Sequence, residues 1–180
     1  MSTGSLELFF SAATHYYVSG RYAVLAALIP VAGNLLHHAI EMYLKGALSK
    51  ALTLDQLKSL SHNLPKLWAA FKADAGDPAL NNFDPLMSSL NAFEELRYPD
   101  SILKKGMAIQ MGVKRLPGAG SATAGPTGPE PAYELYLEDI DALVNKIFET
   151  VPVNPAFFLS GLNDRARHYL KEANDHGWAG

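Results

Sequence analysis

The sequence contains no cysteine, which removes several classes of structure at once. The chain forms no disulfide and offers no thiolate to a metal ion, and such a composition is typical of proteins from a reducing compartment. The N-terminal residues also lack the basic region and the long apolar run of a secretory signal. We therefore expect a cytoplasmic protein.

A large excess of charge and a long hydrophobic run are missing as well. The formal net charge is −3 and the pI is about 6.0, so the overall electrostatics indicate neither a nucleic-acid-binding nor a membrane-binding protein. The uncharged run from Tyr22 to Leu36 is shorter than the roughly 20 apolar residues that a bilayer requires, and Pro30 interrupts it. We expect this run to form buried helix and predict no membrane partner.

What the chain does contain is apolar residues at helical spacing. Its 180 residues are 48% hydrophobic, which suits one domain with a substantial core, and we assign residues 1–180 to a single domain. The spacing predicts a mainly α protein, an up-and-down helical bundle.

Local signals mark several helix ends. Gly20 is a suitable stop for the first helix. Thr53 and Gln56 fit a capping box that opens a short helix, and Asn63 or Ser61 can cap the helix after it.

The pattern changes between residues 107 and 137. Apolar side chains alternate with small or polar ones from Met107 to Val113 and again from Tyr133 to Leu137, and this period of two indicates strands. The glycine- and proline-rich residues 117–131 between them form a low-complexity loop. We predict a small β-hairpin insertion over residues 107–137 with that loop at its tip.

One helix, predicted from Pro30 to about Ala51, organises the rest of the chain. Its apolar and polar side chains lie on different sides of the helix. The apolar side carries Leu36, Ile40, Tyr43, Leu44 and Ala47. The polar side spans an arc of about 100° and carries Asn34, His37, His38, Glu41 and Lys45. The pair of Glu41 and Lys45 is either an intrahelical ion pair or part of a pocket or dimer cleft.

The sequence gives little indication of a metal site or a catalytic site. His37, His38 and Glu41 are of ligand type, but a single helix supplies at most two or three ligands and no second such helix is present. We therefore predict no metal site, no cofactor and no catalytic residue. His62 is either a cap or packed turn residue, or a group that meets the Glu41 helix.

A local concentration of positive charge surrounds the first predicted strand. It consists of Lys104, Lys105, Lys114 and Arg115, with Arg97 a little earlier in the chain. Phosphates attract such a patch whatever the net charge of the protein, so it is a candidate nucleic-acid surface. A solvated strand edge whose lysines discourage aggregation is the alternative.

Three motifs together resemble HEPN domains, whose name abbreviates higher eukaryotes and prokaryotes nucleotide-binding. They are the helix with His38 to Leu48, the segment Ser61 to Leu67 and the helix end at Leu96 to Pro99, within residues 5–100. The resemblance implies a four- or five-helix bundle that often dimerises, with relatives in toxin–antitoxin and phage-defence systems and among RNA-cleaving enzymes.

The chain departs from the catalytic members of that family. Those ribonucleases resemble one another in an arginine followed by a histidine with four to six residues between, and no arginine of this sequence has a histidine at that spacing. We therefore expect no metal-independent cleavage of RNA.

The resulting hypothesis is a non-catalytic module that binds a nucleotide or RNA. Its ligand-binding residues are predicted to be Asn34, His37, His38, Glu41, Lys45, His62 and Arg97. One alternative is a divergent nuclease or phosphotransfer enzyme that uses the histidines and Glu41 as acid–base groups. The other is a purely structural subunit that pairs with a second copy or with a partner such as a nucleotidyltransferase.

A homodimer is expected for a further reason. The chain has more large apolar groups than one small bundle easily hides, namely Phe9, Phe10, Tyr16, Tyr17, Trp68, Phe157 and Phe158. We predict that dimerisation buries more than roughly 1,200 Å² in total.

Overall fold

Two long helices form the centre of the molecule. The computed structural model describes residues 3–94, 108–115 and 132–176. Helix α1 covers Thr3–Leu25 and helix α2 covers Ile29–Leu48. The turn between them closes with Ala27 at a positive φ of 56° and a 2.8 Å hydrogen bond from Leu28 N to Ala23 O.

Small residues let α1 and α2 approach each other closely. Gly20 was expected to end the first helix but lies inside α1, where a Cβ would stand 2.7 Å from Leu36 Cδ2 of α2. A Cβ on Gly46 would likewise stand 2.6 Å from Phe10 Cδ2. Glycine therefore allows close helix packing at these two positions. The local sequence does not distinguish this role from that of a glycine that ends a helix.

Short helices with side-chain caps follow. Helix α3 is Leu54–Ser59, α4 is Leu64–Ala75, a 3₁₀ helix spans Pro78–Phe83 and α5 is Asp84–Ala92. Thr53 and Gln56 form the predicted capping box, and Asn63 Oδ1 accepts a 3.0 Å hydrogen bond from Lys66 N at the start of α4. Both predicted caps are confirmed.

The two predicted strands are present, but they do not form a hairpin. Strand β1, Ala108–Gly112, pairs in parallel with β2, Ala132–Tyr136, so that Ile109 faces Tyr133 and Met111 faces Leu135. The hairpin prediction is wrong because a hairpin joins antiparallel strands. Parallel strands need a crossover of a dozen or more residues, and the segment between β1 and β2 is long enough for one. The period of two is the same in either orientation and could not distinguish them.

The chain after β2 completes the bundle. Helix α6, Leu137–Thr150, follows β2 directly, and α7, Pro155–Leu159, and α8, Asp164–Lys171, end the described fold. Glu138 N donates a 3.0 Å hydrogen bond to Val113 O, which fastens α6 to the end of β1. None of the helices in the described part of the chain combines the length and apolar character needed to cross a bilayer.

Helix α2 lies at the centre of the hydrophobic core and contacts α1, α4, α5 and α6. Its predicted apolar side is buried throughout. The rings of Phe10, Tyr43 and Phe148 meet edge to face with centroids 5.2–5.4 Å apart, which joins α1, α2 and α6. The prediction of a mainly helical bundle with a small β insertion is confirmed.

Candidate functional site

A buried carboxylate surrounded by nitrogen donors is the most polar feature of α2. The Glu41 side chain has no exposed surface. Lys45 Nζ donates a 2.6 Å hydrogen bond to Oε1, and His62 Nδ1 lies 3.0 Å from Oε1 and 3.1 Å from Oε2. His38 Nδ1 lies 3.3 Å from Oε2. We call His38, Glu41, Lys45 and His62 the Glu41 cluster.

Helix spacing and one turn assemble this cluster. His38 precedes Glu41 by three residues and Lys45 follows it by four, so all three side chains share one side of α2. His62 comes from the turn between α3 and α4, where Ser61 takes a positive φ of 53°. The turn is held against the core because its flanking residues Leu57 and Leu64 are buried.

The cluster keeps Glu41 ionised. Burial alone raises the pKa of a carboxyl group, but hydrogen bonds from Lys45 and His62 outweigh it and hold the pKa of Glu41 below its usual value. An ionised carboxylate accepts hydrogen bonds, so both imidazoles present Nδ1–H to it. The sequence prediction that Glu41 and Lys45 pair is confirmed, and the pair is buried instead of solvated.

His37 does not join its neighbours in the cluster. Its ring is 1% exposed and turns toward α5, where Nδ1–H donates to Leu90 O at 3.1 Å. Burial lowers the pKa of His37, so the ring is neutral, and its Nε2 accepts no hydrogen bond from the described residues. Asn34 is half-buried further back on α2, and Arg97 lies outside the described residues.

A polar cavity of about 330 Å³ opens beside the cluster. His62 belongs to both, since it lines the cavity and hydrogen-bonds to Glu41. Other polar side chains in the wall are Asn63 and Lys66 from the start of α4 and Asn91 and Glu94 from the end of α5. The wall thus offers hydrogen-bond donors and acceptors to a small polar molecule.

The basic patch is largely neutralised where the structure describes it. Lys114 Nζ lies 2.5 Å from Asp175 Oδ2. Arg115 pairs with Glu134 and, at 3.2 Å, with Asp139, and its guanidinium lies over the Tyr136 ring at 4.5 Å. These acids are distant in sequence, so a local count of charges misses them. Lys104 and Lys105 lie outside the described residues.

Sequence reasoning missed a buried ion pair between α1 and α6. Arg21 is fully buried and donates through Nη1 to Asp141 Oδ2, while the Tyr17 hydroxyl donates to Asp141 Oδ1 at 2.5 Å. Arg21 also donates to two backbone carbonyls of the C-terminal segment, Tyr169 O at 3.0 Å and Glu172 O. Burial raises the pKa of Asp141, and the adjacent guanidinium opposes that shift.

One signal for this pair was available in the sequence. Asp141 interrupts the apolar stripe of α6 between Ile140 and Leu143, and Arg21 follows Tyr17 by one helical turn. Because these groups bind one another and the backbone, the arrangement fastens α8 and the residues after it to α1. We assign it a structural role.

Comparisons with protein-family models, with curated proteins and with solved structures return no match for this chain. The residues of the candidate site and their geometry are therefore the basis for inferring a function.

Proposed function

We propose that the chain is a HEPN-like module that binds a nucleotide or a short RNA without cleaving it. The observation that carries the proposal is the position of His62, which links the buried Glu41 cluster to the polar cavity. A ligand in that cavity would meet an imidazole that Glu41 holds in place, so little ordering of the side chain would be needed on binding.

The cavity wall suits the parts of a nucleotide. Lys66 can donate to a phosphate, His62 Nε2 can accept from a hydroxyl or a base N–H, Asn63 and Asn91 can donate and accept at a base edge, and Glu94 can accept from a ribose hydroxyl. The affinity for a phosphate-bearing ligand should therefore depend most on the charge of Lys66.

We propose binding without a reaction for two reasons. The arginine–histidine pair of the catalytic family members is missing from the sequence. The two histidines that meet Glu41 both donate to an ionised carboxylate, which leaves neither Nδ1 free to act as a base.

The resemblance extends the proposal to partners and setting. We propose that the module acts as a cytoplasmic homodimer, in association with a nucleotidyltransferase-type protein, in a defence or toxin–antitoxin system.

Calorimetry with a purine nucleotide and with a short single-stranded RNA tests the proposal. Lys66→Gln should weaken binding about tenfold, because it removes one charge-assisted hydrogen bond worth about 1.4 kcal/mol. Lys50→Gln is the matched control, since Lys50 is exposed in the turn after α2 and does not line the cavity.

Two results would contradict the proposal. Wild-type protein that binds neither probe at millimolar concentration excludes nucleotide binding at this site. Equal weakening by Lys66→Gln and Lys50→Gln would show that binding reflects general surface charge.

A further inference from the structure

Three side chains of the Glu41 cluster belong to the types that bind transition metals. His38, Glu41 and His62 can each offer one ligand atom such that all three atoms lie within 4.8 Å of one another. We propose that these residues form a binding site for a divalent transition metal ion, with Zn²⁺ as the best fit.

Two of the three separations between the ligand atoms are close to those of a tetrahedral site. Glu41 Oε2 lies 3.3 Å from His38 Nδ1 and 3.1 Å from His62 Nδ1. Ligand atoms bound to zinc at about 2.0–2.1 Å in a tetrahedron are about 3.3–3.4 Å apart. The ligand atoms of His38 and His62 are at most 4.8 Å apart, and rotation of His62, which is half exposed on a turn, would bring them closer.

Lys45 orients the carboxylate for this role. Its Nζ donates to Oε1 at 2.6 Å, while Oε2 lies within 3.3 Å of both imidazoles; His62 Nδ1 is also 3.0 Å from Oε1. A hydrogen bond from a second residue to a metal-binding carboxylate is the usual support for such a ligand. The Tyr16 ring, whose centroid is 5.6 Å from that of His38, restricts the orientation of the His38 imidazole.

The donor set favours zinc over the alkaline-earth ions. Two imidazoles and one carboxylate suit Zn²⁺ and its neighbours in the first transition series, whereas Mg²⁺ and Ca²⁺ prefer oxygen ligands. Three protein ligands leave a fourth position on the ion.

Metal binding would replace hydrogen bonds that the cluster makes without it. Each Nδ1–H now donates to Glu41, and zinc would take the place of these two hydrogens while each neutral imidazole carries its proton on Nε2. The carboxylate stays ionised in both forms. The site therefore needs no new charged group and no movement of α2.

The structure supplies what the sequence prediction lacked. His37 was a candidate ligand in the sequence and turns away to Leu90 O, while the turn before α4 contributes His62 as a ligand from a second element. The sequence prediction of no metal site considered His37, His38 and Glu41 on one helix and found no second helix of that kind; it did not include His62 from the turn.

Titration calorimetry with zinc chloride, in a buffer that does not bind zinc, tests the proposal. Wild-type protein should bind one ion per chain. His62→Ala and Glu41→Gln should each weaken binding by at least about tenfold, because each variant removes one metal ligand. Co²⁺ titration should produce the visible absorption bands of a tetrahedral ion in wild type and not in His62→Ala.

His168→Ala is the matched control. His168 Nε2 lies 3.4 Å from Glu172 Oε2 on an exposed part of α8. This histidine–carboxylate pair therefore represents nonspecific metal binding at the surface. The variant should bind zinc as wild type does.

Thermal unfolding gives a second measurement that does not depend on titration. Zinc should raise the melting temperature of wild type and of His168→Ala but not of His62→Ala, because only the folded chain brings α2 and the turn together. His62→Ala alters a half-exposed turn residue, so its far-UV circular dichroism should match wild type.

Three outcomes would overturn the site. They are wild-type affinity weaker than millimolar, affinity unchanged in His62→Ala, and loss of binding in His168→Ala. The probes in these experiments are metal ions alone, so the result is independent of nucleotide binding.

Discussion

At the scale of single residues, two buried carboxylates dominate the electrostatics of the described fold. Glu41 and Asp141 are 0% and 1% exposed, and each is balanced by a cation at hydrogen-bond distance. Lys45 comes from the same helix as its partner, whereas Arg21 comes from α1 and its partner from α6. The second pair therefore stabilises tertiary structure.

Removal of Arg21 should destabilise the protein strongly. Arg21→Met leaves Asp141 buried without its cation, and we expect a loss of about 3–5 kcal/mol in the free energy of unfolding. Urea denaturation followed by circular dichroism measures this loss. The double variant Arg21→Met/Asp141→Leu should recover much of it, because no buried charge remains. A single variant as stable as wild type would refute the structural role of the pair.

Asp84 should make stability depend on pH. Its carboxylate accepts from Lys72 Nζ at 2.7 Å and from Trp68 Nε1 at 2.6 Å, and the hydrogen bond from Lys72 in particular lowers its pKa. A carboxyl group whose pKa is lowered by folding stabilises the protein above its unfolded pKa of about 3.9 and loses that effect as pH falls through the folded pKa. Asp84→Asn should therefore lower the melting temperature at about pH 7 and change it little below about pH 3.

Melting curves of both proteins across this pH range test the prediction. Asp55→Asn serves as the control, since Asp55 is 97% exposed and its oxygen lies 3.9 Å from Lys58 Nζ. A difference between wild type and Asp84→Asn that stays constant with pH would contradict the assignment.

At the scale of elements, the close approach of α1 and α2 depends on glycine. Alanine is the better helix former by about 1 kcal/mol, so Gly46→Ala would stabilise an isolated helix. In the bundle the new Cβ would stand 2.6 Å from Phe10 Cδ2 and 3.0 Å from Phe9 Cβ. We expect overpacking to outweigh the helix preference, with a net loss of about 1–3 kcal/mol.

Chemical denaturation of Gly46→Ala measures this balance. Gly161→Ala is the matched control, because a Cβ there has nothing within 4 Å. Stability of Gly46→Ala equal to or above that of wild type would show that α1 shifts at little cost.

At the scale of the whole molecule, the apolar surplus is smaller than the sequence suggests. Of the seven aromatic residues that led us to expect a dimer, four are buried within the chain: Phe10, Tyr17, Trp68 and Phe158. Tyr16 and Phe157 are 40% and 60% exposed, and Leu8 is 74% exposed. Exposed apolar side chains of the described residues, among them Leu8, Tyr16 and Phe157, are candidates for the expected dimer surface.

The homodimer stays a prediction with a direct test. Light scattering at micromolar concentration should give twice the chain mass of 19.5 kDa. Phe157→Asp should shift the equilibrium toward the monomer, since a charge in an apolar interface costs desolvation energy. A monomeric wild-type protein would refute the dimer.

The sequence alone determined those features that depend on neighbours a few residues away. Helix spacing identified the apolar side of α2, the side-chain caps at Thr53 and Asn63 marked two helix starts, and the period of two located both strands. The Glu41–Lys45 pair was also predictable, because its partners are one helical turn apart. These interactions form within one element and leave a pattern in the order of residues.

Only the tertiary structure decided which groups from separate elements meet. It selected parallel pairing for β1 and β2, brought His62 rather than His37 to Glu41, and placed Arg21 against Asp141. The physical reason is that such contacts depend on how elements pack and on the loops that join them, and neither periodicity nor local charge records that geometry. The candidate site combines both kinds of contact: α2 alone supplies the carboxylate and the first imidazole, and the packing of the fold supplies the second imidazole.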